Sequence, residues 1–162
     1  MEQYQSFGTS SGVNTKTVLT NMNIVEATGG NKVQRHIAED VVFYMINRLL
    51  PRHRTLDITV ELVDIKSDAV GFCMMCDRKR EFLIEVDKKQ KIAQLVTTIV
   101  HEMIHVKQWV RNEMDDGCSG QIARWKSKAI PADTNYYDLP WEKEAYRLQD
   151  KYAREIWENE II

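Results

Sequence analysis

Ile92-Ala93-Gln94-Leu95-Val96-Thr97-Thr98-Ile99-Val100-His101-Glu102-Met103-Ile104-His105-Val106-Lys107-Gln108-Trp109-Val110 is the stretch that decides the fold. Ile92, Leu95, Val96, Ile99, Val100, Met103, Ile104, Val106 and Val110 recur at helical spacing. The pattern predicts a helix over residues 88–113, with Asp87 and Gln90 placed as a capping box at its start. A helix apolar over so much of its circumference belongs at the centre of a domain, covered on several sides. His101, Glu102 and His105 interrupt the apolar run. Polar groups buried in such a helix are costly unless they have partners.

Upstream, Asn31 caps a helix over residues 32–50, with Val33, Ile37, Val41, Tyr44, Met45 and Leu49 in helical register and Pro51 as the stop. Residues 56–63 alternate, with Leu56, Ile58, Val60 and Leu62 on one face, and read as a strand. Residues 70–76 and 81–86 read as two more strands, joined as a hairpin by Asp77-Arg78-Lys79-Arg80. Residues 1–30, rich in Ser, Thr, Asn and Gly, form a separate N-terminal segment. Its first dozen residues read as a flexible end, and Val18-Leu19 with Ile24-Val25 as one short strand.

Downstream, residues 115–138 read as a long loop with a helical turn near residues 121–125. Pro140 opens a last helix reaching residue 159, whose face is Trp141, Ala145, Leu148, Tyr152 and Ile156. The expected class is α+β for residues 31–162. It comprises an N-terminal helix, a small three- to four-stranded, mainly antiparallel sheet packed on one face, the central helix and a C-terminal helix.

Composition narrows the function classes. The length of 162 residues fits one domain, and 43% apolar with 28% charged residues is ordinary for a globular chain. A net charge of −2 gives no global basic field for nucleic acid. No run is long enough to span a membrane, and the first residues lack the pattern of a signal peptide. Three Cys in a chain of this size read as reduced, so a cytoplasmic location is expected. Cys73-Met74-Met75-Cys76 reads as two strand thiols, because a structural zinc needs four ligands and Cys118 is the one other Cys. The basic clusters at residues 77–80 and 88–91 read as solvated turns and helix ends.

His101 and His105 stand at i and i+4, one above the other on one helix face. That places two imidazoles to bind one Zn²⁺ ion at about 2.0–2.1 Å each. Glu102 projects beside them, positioned as a general base for a metal-activated water. This is the HExxH arrangement of zinc proteases. A catalytic zinc takes a third protein ligand. His36 and His53 lie far upstream, which leaves Glu142 and Glu144 in the first turn of the last helix. Both lie about 80° from the centre of its apolar face, on opposite edges, so helix geometry leaves both open. Glu142 precedes the small Ala145 by three residues, which leaves room for a metal site. Tyr136 and Tyr137 just before this helix read as packing aromatics, although a Tyr hydroxyl there is also suited to stabilise an oxyanion.

The chain resembles a compact HExxH metallopeptidase, closest to the SprT-like domains, small examples of which are frequent among tailed bacteriophages. The resemblance spans residues 32–159. It rests on the first helix, on Phe82-Leu83-Ile84-Glu85-Val86, on His101-Glu102-Met103-Ile104-His105, and on Pro140-Trp141-Glu142-Lys143-Glu144-Ala145. It implies a zincin-like fold, one catalytic Zn²⁺, Glu102 as catalytic residue and a peptide or protein substrate, in a host cytoplasm if phage-encoded. SprT-like domains supply a third His, and no His follows His105 here. A Glu third ligand is similar to gluzincins and to ImmA/IrrE-type peptidases, whose ligand stands in an ExxA-like pattern. Glu142-Lys143-Glu144-Ala145 matches that pattern with Glu142. The resemblance further implies that an edge strand at residues 81–86 pairs with the substrate. A DNA-associated protease and a catalytically silent zinc-binding module are the alternatives.

Overall fold

The computed structural model describes residues 22–162 except Asp77 and Ser119. Strand β1 (Ile24–Gly29) is followed by helix α1 (Lys32–Leu49) and strand β2 (Asp57–Val63). The β1 and β2 strands pair in parallel, from Ile24 opposite Asp57 to Gly29 opposite Leu62, so the three elements form a βαβ unit. The Ile24-Val25 part of the expected first strand lies in β1, whereas Val18-Leu19 lies outside the described residues. Gly29 closes β1 with φ +69°, and a Cβ there would collide with the Leu62 carbonyl oxygen, so only glycine fits. Asn31 caps α1 as its sequence suggests. Asn31 Oδ1 accepts from the Gln34 amide at 2.9 Å, and Gln34 Oε1 accepts from the Asn31 amide at 3.0 Å.

Strands β3 (Gly71–Met75) and β4 (Glu81–Asp87) form the expected antiparallel hairpin. Its placement corrects the expected sheet. The strand order is β1-β2-β4-β3, with β4 inserted between β2 and β3 and parallel to β2. The sheet is therefore mixed, not mainly antiparallel, and β4 is interior rather than an edge. The cause is burial. Strand β4 turns Phe82, Ile84 and Val86 fully inward, whereas β3 offers only Gly71, Cys73 and Met75 on that side. The interior slot goes to the strand with more apolar surface to bury.

Helix α2 (Ile92–Val110) packs against α1, β3, β4 and the last helix, and every residue from Thr98 to Gln108 is buried. It starts later than the capping box implies. The Gln90 side chain makes no capping box: its oxygen accepts from the Thr98 hydroxyl at 2.8 Å, and its amide donates to the carbonyls of Val70 and Asp87, both at 3.2 Å. Lys91 is then the N-cap and makes no side-chain cap.

Residues beyond α2 are not the expected loop with a helical turn. Strands β5 (Met114–Asp115), β6 (Arg124–Trp125) and β7 (Lys128–Ala129) make a small antiparallel sheet. The β6–β7 turn places Lys126 and Ser127 at φ +47° and +70°, the two left-handed residues of a tight hairpin. A 3₁₀ turn (Tyr136–Asp138) leads into helix α3 (Pro140–Glu158), with Pro140 in its first turn. Trp141, Ala145, Tyr152 and Ile156 are buried on its inner face, and Leu148 packs against the core.

The core lies between the helices and the sheet face bearing Ile58, Val60, Leu62, Phe82, Ile84 and Val86. The opposite face carries Glu26, Asp57, Glu61, Glu81, Glu85 and Asp87 beside Phe72, Met74 and Leu83. Asp57 stands across from Glu81, and Glu61 across from Glu85.

Candidate metal centre

Helix α2 brings the two His rings edge to face, with centroids 4.9 Å apart and Nε2 atoms 3.2 Å apart. The first turn of α3 then places the Glu142 carboxylate over both. Its Oε2 lies 3.3 Å from His101 Nε2 and its Oε1 3.4 Å from His105 Nε2. All three side chains are buried, with Glu142 5% exposed. Two ligands each about 2.0–2.1 Å from a tetrahedral ion are about 3.3 Å apart. The observed separations match the edges of such a site. Glu142 Oε2 is buried and has no hydrogen-bond donor. A buried carboxylate facing two imidazole nitrogens is compensated only while an imidazole is protonated, and a metal cation would supply the positive partner when it is not. His101, His105 and Glu142 can therefore hold a metal ion.

The structure separates the two carboxylates that helix geometry left open. Glu144, on the other edge of α3, accepts from Lys107 Nζ and Gln108 Nε2, both at 3.0 Å, and belongs to a structural network. Lys107 Nζ also donates to Glu113 at 2.6 Å.

Electrostatics follow from burial and neighbours. Burial alone would raise the Glu142 carboxyl, but His101 and His105 outweigh it and hold it at about 2. Burial works against a charge on His105, yet Glu142 and Glu102 outweigh it and raise its pKa above the usual imidazole value. Burial pushes Glu102 upward, and the two imidazoles offset this only in part. Glu102 is 6% exposed and lies against the edge strand β3, where a Cβ on Gly71 would come 3.0 Å from its Oε1.

Two glutamines stand behind the ligands. Gln149 Oε1 lies 2.8 Å from His101 Nδ1, and Gln108 Oε1 lies 2.8 Å from His105 Nδ1. Tyr146 packs edge-on to the His101 ring with centroids 4.7 Å apart. The Tyr136 hydroxyl is beside Glu142 and Tyr146, and burial with the Glu142 charge raises its pKa, so it stays protonated as a donor. Tyr137 is exposed and touches the cluster only through the Tyr136 and Tyr146 rings. Gln108, Gln149 and Tyr146 were not legible beforehand as site residues. One signal exists for each: three residues past His105, seven past Glu142 and four past Glu142, all on the ligand-bearing faces. His36 pairs with Asp40 on the surface of α1, and His53 follows that helix, both apart from the centre.

No family model, curated protein or solved structure matches this chain. What stands without a family is a buried cluster of His101, His105 and Glu142 suited to a metal ion in a mixed α+β fold.

Proposed function

We propose that the protein is a zinc-dependent peptidase with His101, His105 and Glu142 as ligands and Glu102 as general base. One observation carries this reading. A buried carboxylate with a raised pKa, Glu102, lies between a three-ligand cluster and an edge strand. A structural metal site has no use for that fourth group. A Zn²⁺ ion held there would supply Lewis acidity, polarising a carbonyl oxygen and acidifying water. Glu102 takes the proton of the attacking water and returns it to the leaving amine nitrogen. Strand β3 pairs with β4 alone among the described residues, so its outer edge is available to align an extended peptide beside Glu102. This role falls to β3 because β4 is interior. Tyr136, a protonated hydroxyl beside Glu142, is placed to donate to a developing oxyanion.

The test pairs metal content with cleavage of an unfolded protein substrate. Wild type is expected to carry about one zinc and to cleave. Glu102→Gln should keep the zinc and lose about 10²–10⁴-fold in rate. An active Glu102→Gln, or a zinc-loaded wild type that cleaves no peptide bond, would sink the reading.

A further inference from the structure

We propose that Gln108 is a positioning residue that sets two of the three metal ligands at once, with Gln149 as a weaker counterpart behind His101. The inference rests on the metal-binding half of the function proposed above.

Gln108 is fully buried, and its amide has a single orientation that satisfies its surroundings. Its Nε2 lies 3.0 Å from the Trp141 carbonyl oxygen and 3.0 Å from Glu144 Oε2. Both neighbours only accept, so both amide hydrogens are committed to them. The atom left to face His105 Nδ1, at 2.8 Å, is the Gln108 oxygen. An oxygen there can only accept, so the neutral His105 ring carries its single hydrogen on Nδ1 and presents a bare Nε2 lone pair to the ligand cluster. The same amide grips the backbone of Trp141, the residue before Glu142. One side chain thereby sets the tautomer of His105 and the position of the turn that delivers Glu142.

Gln149 differs. Its oxygen lies 2.8 Å from His101 Nδ1, and no second partner holds its amide in that orientation among the described residues. It is also less buried than Gln108. The two positions therefore respond oppositely to the same substitution. Glu at 149 keeps the acceptor for His101 and strengthens it with charge. Glu at 108 keeps the acceptor for His105, loses the donor to Trp141 and sets a carboxylate against Glu144. A residue acting only through packing would not distinguish the two.

The experiment measures Zn²⁺ affinity of the full chain by chelator competition, and the imidazole tautomers of the metal-free protein by ¹⁵N NMR at a pH where His105 has lost its second proton. Gln108→Leu and Gln108→Glu are expected to lose about 10–100-fold in affinity. Gln149→Leu should lose less, and Gln149→Glu should bind at least as tightly as wild type. In wild type, His105 should be the Nδ1–H form, and in Gln108→Leu a mixture of both forms. Equal affinities across the set, or an Nε2–H form of His105 in wild type, overturn the inference. Should the Gln108 variants fail to fold, the wild-type tautomer alone decides it. A wild type that binds no zinc overturns the metal site instead, while the NMR result still reports on Gln108.

Discussion

Glu142 stays ionised where burial alone would neutralise it, because two imidazoles face its carboxylate, and this fixes a pH dependence. In the metal-free protein its pKa is about 2, below the ordinary 4.5. Its contribution to stability is complete above 4.5 and is lost as pH falls towards 2. The His105 pKa is raised above 6.5, so its contribution is complete below 6.5 and is lost as pH rises through the raised value. Together they stabilise the metal-free fold most between pH 4.5 and 6.5. A metal needs His105 without its proton, so it gains where the protonated cluster loses. Melting at about pH 6 and pH 8 should show the chelated protein weaker at the higher pH and the zinc-induced rise in Tm larger there. Both differences should disappear in His105→Ala, and a pH-independent zinc effect in wild type would count against the coupling. Gly71 offers a second test at this scale. A Cβ there would lie 2.6 Å from Thr98 Cγ2 as well as close to Glu102. Gly71→Ala should destabilise by about 1–3 kcal/mol through overpacking. It should also lower cleavage by displacing Glu102 while leaving zinc content unchanged. Unaltered Tm and activity would mean that β3 and α2 yield freely.

Helices α2 and α3 meet at the candidate metal site through residues far apart in the chain, His105 and Glu142. An ion bound there would clip these two helices together, and at 100 times its Kd would add about 2.7 kcal/mol. Chelation should speed amide exchange mainly along the first turns of α3 and leave β2 and β4 protected. A uniform change across the sheet would refute a local clip. This scale also shows what was legible beforehand. Helices with whole faces to bury, α1, α2 and α3, could be read to within a few residues, because their spacing reports burial directly. The order of β3 and β4 could not, since a hairpin reads the same whichever strand turns inward. Two-residue strands such as Arg124–Trp125 carry no periodicity at all. In the site, the His101–His105 spacing was legible because one helix turn sets it. Glu142 and Glu144 were not separable by geometry, because both edges of α3 touch α2, one at the imidazoles and one at Lys107 and Gln108. The glutamines went unread because an amide has no role until its neighbours are known.

At the scale of the whole molecule, helices cover one face of the sheet and leave the other to its carboxylates. Like charges directly across neighbouring strands, as in Glu61 and Glu85, oppose sheet formation, so the pairing of β2 with β4 rests on the inward apolar residues. The chain carries −2 overall, and Glu26, Asp57, Glu61, Glu81, Glu85 and Asp87 account for −6, which leaves +4 for everything else. The near-neutral total thus conceals a lopsided charge distribution. The helices on the other side carry eight basic and eight acidic residues and so balance, which leaves the outer sheet face as the directional feature: in an approaching body's field a cationic surface is met by the sheet. Encounters with charged bodies are thereby filtered by orientation before any contact is made, and added salt erases that filter within about a 10 Å Debye length at 0.1 M.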